Sequence, residues 1–293
     1  MFKGSIVALI TPFKNDGIDE AAFKKLVEWQ IKEGSSGIVP CGTTGESPTL
    51  SEKEQSHVIE LCVQAVAKRI PVIAGTGSNS TSEAVHMTKY AARVGADAAL
   101  VVTPYYNKPT NKGVYLHFKA VADSVKIPLI LYNIAGRTGK NIEPEVMAKL
   151  ARDCKNIVGV KESSGSLDQM LRIKEMCPKD FILLSGDDAL TLPVLSAGGK
   201  GVISVAANIV PRDVAAIIDA FDKGDLKKAQ EIHFKLMPLI RALFIETNPI
   251  PVKKAAELMG LCSGALRLPM CDMEEAHLAK LKEALNSYGL LKK

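Results

Sequence analysis

Two hydrophobic periodicities alternate along this chain. Short apolar runs rich in β-branched residues, bounded by polar or glycine-containing turns, predict strands at 5–10, 37–41, 71–76, 98–103, 128–133, 158–161, 182–185 and 201–205. Between them, apolar residues recur at helical spacing. Segment 19–33 puts Phe23, Leu26, Val27 and Ile31 on one face, and 51–68 opens with Ser51 as cap and Glu54 three residues on. Segments 81–94, 113–125, 143–152, 166–176 and 189–197 read the same way, the last being the shortest. After Pro211 the strands stop, and 212–221, 225–244, 251–261 and 273–287 all read as helices.

Eight strand–helix alternations argue for parallel strands joined by right-handed crossovers, hence a (β/α)8 TIM barrel over residues 1–224. Residues 225–293 are expected to form a small C-terminal all-helical domain without chemistry of its own, serving packing, including packing between subunits. A doubly wound open sheet is the alternative and usually carries a nucleotide fingerprint. None is present: Gly75-Thr76-Gly77 is followed by Ser80 where a third glycine would stand, and Gly198-Gly199-Lys200-Gly201 precedes a strand instead of opening a helix.

The 293 residues, 47% apolar and 24% charged, suffice for one barrel with an appendage. The net charge of +5 is spread along the chain, and no basic run is interleaved with aromatics, so no nucleic-acid partner is expected. No apolar stretch reaches the length of a membrane span, and no charged segment with a cleavage site precedes the first strand. A cytoplasmic protein is expected. The six cysteines show no CxxC pairing and are expected to be reduced and mostly buried. Cys41, beside a glycine loop, is a candidate nucleophile, with no histidine near it in sequence to activate it.

Catalytic groups in such a barrel come from the C-terminal ends of strands. Those positions hold Thr11, residues 42–46 (Gly-Thr-Thr-Gly-Glu), Gly75 to Gly77, Thr103 to Asn107, Tyr132-Asn133, Lys161, Gly186 to Asp188, and Ser204. Hydroxyls dominate, with one amine. The five histidines fall in predicted helices without HxH or HExxH spacing, so no metal is expected, and Asp187-Asp188 read as a loop and helix-cap pair. Lys161 is the one lysine that closes a strand. Desolvation there favours its neutral form, which can attack a ketone carbonyl and form a Schiff base. The competing reading is a lysine at the strand end paired with Glu162. Tyr105, Tyr106 and Tyr132 sit at two neighbouring strand ends and suit proton relay, against core packing for any one alone. The 42–46 loop offers N–H groups and hydroxyls to a carboxylate, or is simply a tight turn. Arg137 suits bidentate grip of a second carboxylate, or a surface ion pair.

Together these motifs resemble the dihydrodipicolinate synthase family of class I aldolases, in a superfamily that includes N-acetylneuraminate lyase. The resemblance runs over essentially the whole chain: Thr11-Pro-Phe13, Gly42-Thr-Thr-Gly-Glu-Ser47, Val102-Thr-Pro-Tyr-Tyr-Asn107, Tyr132-Asn133, Arg137-Thr-Gly139, Val160-Lys-Glu162, Ser185-Gly-Asp-Asp188, Gly201-Val-Ile-Ser204 and Asn248-Pro-Ile-Pro-Val-Lys253. It implies condensation of pyruvate with L-aspartate 4-semialdehyde, on the lysine and diaminopimelate route, with no metal or nucleotide cofactor. Residue by residue, Lys161 is the implied Schiff-base lysine and Tyr132 the proton donor and acceptor. Thr43, and Tyr106 from a neighbouring subunit, complete the relay. Thr44, helped by Thr43 and the Ile203 backbone, binds pyruvate, and Arg137 orients the semialdehyde carboxylate. The implied assembly is a homotetramer of tight dimers. Arg137 separates this reading from aldolases of sugar acids; a barrel that has lost catalysis is the remaining alternative. Ser47, Asn79, Glu83 and Tyr105 match the lysine-effector site of inhibited members, with Gln55 where those have histidine, which leaves lysine sensitivity open. A second departure is Ala135, where the family usually has proline.

Overall fold

The computed structural model of the chain describes residues 2–291. All eight predicted strands are present: β1 (Gly4–Ala8), β2 (Gly37–Val39), β3 (Ile73–Gly75), β4 (Ala98–Val102), β5 (Leu129–Asn133), β6 (Ile157–Glu162), β7 (Ile182–Ser185) and β8 (Gly201–Ser204). They pair in parallel in the order β2-β1-β8-β7-β6-β5-β4-β3. The seam between β2 and β3 closes through one parallel bridge, Ile38 to Val72, with Ile38 N–H donating to Pro71 O at 3.0 Å. The molecule is a TIM barrel followed by C-terminal helices.

The strands read as unbroken apolar runs because both of their faces are buried. Ile6, Val39, Ile73, Leu100, Ile130, Leu184 and Ile203 fill the interior together with Phe2 and the ring of Tyr132. Val7, Val101, Leu131, Val160 and Leu183 face outward onto helices. Five strands end one or two residues earlier than periodicity predicts, because the chain leaves the sheet there to form the loops of the site.

The surrounding helices are α1 (Glu20–Lys32), α2 (Glu52–Val66), α3 (Thr81–Arg93), α4 (Asn111–Ser124), the one-turn α5 (Ala135–Thr138), α6 (Pro144–Asp153), α7 (Leu167–Met176), α8 (Thr191–Ser196) and α9 (Pro211–Asp222). Ser51 and Glu54 form the expected capping box on α2. The predicted helix 189–197 is a 3-10 turn, Asp188–Leu190, running into α8. A two-strand hairpin, Phe13–Lys14 with Gly17–Ile18, was not anticipated; Asn15 and Asp16 both take positive φ in its turn, and Asn-Asp-Gly is its sequence signal. The C-terminal helices are α10 (Leu226–Leu243), α11 (Ile250–Leu258) and α12 (Glu275–Tyr288). No helix among the described residues is long and apolar enough to cross a membrane.

Candidate active site

Lys161 and Tyr132 are register partners on the adjacent strands β6 and β5, so one face of the pleat carries both side chains into the barrel. The Lys161 Nζ lies 4.2 Å from the centre of the Tyr132 ring, and the two residues are only 6% and 5% exposed. Glu162, the next residue, points to the opposite face. Its carboxylate takes Asn133 Nδ2 at 2.9 Å, Gln169 Nε2 at 3.2 Å and the Ser164 N–H at 2.7 Å. The Lys161–Glu162 pairing that competed with the Schiff-base reading is therefore not formed; alternation along the strand separates the two side chains.

Room for the Lys161 side chain depends on Gly186, in the loop after β7. A Cβ added there would stand 3.0 Å from both Cγ and Cε of Lys161 and collide with Ser163 Oγ. Asp188, two residues on, is more than the cap expected of it. Asp187 does cap the 3-10 turn, through Ala189 N–H at 2.9 Å. Asp188 is buried and accepts hydrogen bonds from Ser204 Oγ at 2.5 Å, Val205 N–H at 2.9 Å and Ala206 N–H at 3.2 Å, which ties down the end of β8 just after Ile203. Burial pushes its carboxyl above the usual range.

The 42–46 loop follows β2. Internal bonds Gly45 N–H to Gly42 O at 3.0 Å and Glu46 N–H to Thr43 O at 3.1 Å make it a tight turn, and Thr11 Oγ1 donates to Gly45 O at 2.8 Å. Thr44 is buried, its Oγ1 accepting from Asn248 Nδ2 at 3.0 Å. Thr43, Ile134 and Arg137 line a cavity of about 920 Å3 that also reaches Ser47, Gln55, Glu83, His86 and Tyr105. Lys161 and Tyr132 do not line it. Three of the four candidate effector residues thus border one cavity. The fourth, Asn79, donates from Nδ2 to Tyr105 O at 3.2 Å.

Arg137 lies on α5, not on the loop expected there. It is exposed, and its guanidinium donates to the main-chain carbonyl of Asn248 at 2.9 Å. Ala135 opens that helical turn, and Gly139 N–H closes it onto Ala135 O at 2.9 Å. The first position of a helix needs no N–H donor, so proline fits there. Ala135→Pro is expected to raise stability by about 0.4–1 kcal/mol by restricting the unfolded chain, seen as a higher thermal midpoint; a lower midpoint would contradict the helical turn. Tyr106 has φ +71° and is 88% exposed, so its ring stands away from its own chain.

Cys41 is no nucleophile. It is buried, desolvation drives its thiol well above the ordinary range, and Sγ contacts Gln55 O at 3.6 Å. Among the histidines, His57 and His86 pair with Glu20 and Glu52 at the surface, and His277 pairs with Glu246. His117 and His233 are buried in helix packing, which lowers both pKa values, that of His117 to about 4. No cluster of metal-ligating side chains occurs among the described residues.

Sequence reading missed the contribution of the segment after α10. Asn248, Lys253 and Arg267 all reach strand-end loops, so the C-terminal helices do more than pack. The available signal was a lysine, Lys253, set among Ile250, Val252, Ala255 and Ala256 on an apolar helix face.

The sequence profile of the Dihydrodipicolinate synthetase family matches residues 1–288. A 4-hydroxy-tetrahydrodipicolinate synthase of Endomicrobium trichonymphae is 62% identical over 292 residues, covering 100% of both chains. The crystal structure of dihydrodipicolinate synthase from Aquifex aeolicus superposes with a TM-score of 0.98 at 52% identity, covering 100% of each chain. A structure of DHDPS from Cyanidioschyzon merolae with lysine bound has a TM-score of 0.96 at 44% identity, covering 99% of each.

Proposed function

The chain belongs to the Dihydrodipicolinate synthetase family, and from that premise we propose that it condenses pyruvate with L-aspartate 4-semialdehyde to give 4-hydroxy-tetrahydrodipicolinate. The observation behind this reading is a buried amine over a tyrosine ring at the mouth of the barrel: Lys161 Nζ, 4.2 Å from the Tyr132 ring centre.

Pyruvate binds with its carboxylate on Thr44 and the N–H groups of the 42–46 loop, helped by Thr43 and the Ile203 backbone. The Lys161 amine attacks C2 and forms a carbinolamine. Tyr132 passes protons to and from it, in a relay with Thr43 and with Tyr106 of a second copy of the chain, so that water leaves and an imine forms. The exposure of Tyr106 supports such an exchange between copies. Loss of a C3 proton gives the enamine, whose C3 attacks the aldehyde carbon of the semialdehyde held through its carboxylate by Arg137. The amino group of the joined product then attacks C2, closes the ring and frees Lys161. These steps draw only on groups of the protein itself and call for no metal or nucleotide. A homotetramer of tight dimers and a cytoplasmic location complete the reading.

Incubation with pyruvate and borohydride, followed by peptide mass spectrometry, is expected to place a reduced adduct on Lys161; an unlabelled Lys161 would end the proposal. Arg137→Ala is expected to abolish condensation of the semialdehyde while leaving that adduct intact. Unchanged turnover in this variant would remove Arg137 from the recognition of the semialdehyde, and with it the argument against a sugar-acid aldolase. Ser47, Asn79, Glu83 and Tyr105 are proposed as an effector site for free lysine. Turnover that is indifferent to lysine would remove that role.

A further inference from the structure

The loop that grips the 2-oxo acid in this reading is held from outside the barrel. Its last residue, Glu46, has φ +55°, a left-handed conformation that non-glycine residues avoid unless the surroundings impose it. Lys253, on α11, is fully buried and donates from Nζ to Glu46 Oε1 at 2.5 Å and to Thr11 O at 2.9 Å. The same Nζ lies 4.2 Å from the centre of the Phe13 ring. The other oxygen of Glu46 accepts the Arg267 N–H at 3.2 Å. Five residues before Lys253, Asn248 holds Thr44 through its side chain and Arg137 through its carbonyl. One short stretch, 248–253, therefore touches Thr44, Glu46 and the arginine.

A buried ion pair is a poor source of stability compared with an apolar pair of the same volume. What it supplies is a fixed direction, and here it fixes the residue next to the carboxylate nest. We propose that Lys253 is a positioning residue for the 2-oxo acid: acting through Glu46, it sets the 42–46 loop at the spacing needed to grip the substrate carboxylate. The inference rests on the assignment of that loop to pyruvate. Lys253 touches no substrate, and its effect is exerted on binding, not on the imine chemistry.

The test is the double variant Lys253→Met/Glu46→Gln, which removes both buried charges together and strands neither. Lys253→Met/Glu46→Met, an apolar pair of similar volume, serves if that double variant does not fold. The readouts are the pyruvate concentration giving half-maximal borohydride labelling of Lys161, and the KM for each substrate. Half-saturation by pyruvate is expected to rise about tenfold or more, with the semialdehyde KM within about twofold of the parent, since small misplacements of binding groups carry effects of that size. Half-saturation equal to the parent's in a folded variant, or an equal rise in both KM values, would reduce Lys253 to a structural residue. Absence of labelling in the parent protein itself would instead overturn the assignment of Lys161.

Discussion

Lys161→Met is expected to bring turnover down by a factor on the order of 10^4 or more while leaving the protein folded. The covalent route would have no substitute nucleophile, because the strand-end positions hold no second amine. Methionine has nearly the length of lysine and fits the channel beside Gly186, whose lack of a side chain leaves room for the Cγ and Cε methylenes. No buried carboxylate loses its counter-ion, because Glu162 is turned away and bonded to Asn133, Gln169 and Ser164. Exchanging an amine that is 6% exposed for an apolar group removes a desolvated polar atom, so stability should hold or rise. A coupled turnover assay and a thermal melt check both halves. Activity above about one part in a hundred of the parent would mean that Lys161 is not the nucleophile.

The same substitution at the other buried lysine is expected to act in the opposite way. Lys253→Met leaves the Glu46 carboxylate in a site where side-chain exposure is 2%, with only the Arg267 N–H of its two cross-loop partners remaining. Breaking a buried pair from one side costs about 3–5 kcal/mol, which for a chain of this size corresponds to a fall of roughly 10 °C in thermal midpoint. Burial holds the Lys253 amine below the usual lysine range, so the pair already stands against its own desolvation. The double variant with Glu46→Gln should recover much of the loss. Equal midpoints for Lys253→Met and Lys161→Met would show that Glu46 finds another partner. The two lysines thus separate chemistry from architecture by one measurement each.

The barrel was legible because it is written in local spacing. Strand and helix periods need only the residues within a few turns of one another, and burial of both strand faces makes the strands unusually plain. Lys161 was legible for the same reason: a lone amine closing an apolar run stands out in a window of eight residues. The hairpin after Phe13 escaped because two-residue strands carry no period, although its Asn-Asp-Gly turn was present. The shortening of the strands escaped because their last apolar residues leave the sheet without losing burial: Leu9, Ile10 and Cys41 are all buried beyond the strand ends.

From the amino-acid order alone come the alternation, the helical C-terminus, and the placing of Lys161, Tyr132, Thr43, Thr44 and Arg137 at strand ends. Which of these meet is a matter of register. Tyr132 and Lys161 face each other because β5 and β6 pair at those residues; a slip by one would turn one of the side chains out of the barrel. The roles of Asn248 and Lys253 belong wholly to the tertiary structure. Their partners Thr44 and Glu46 lie 204 and 207 residues away along the chain, and no periodicity operates over such separations. A lysine on an apolar helix face says that a partner must exist; only the packing of that helix against the barrel mouth says that the partner is the loop after β2.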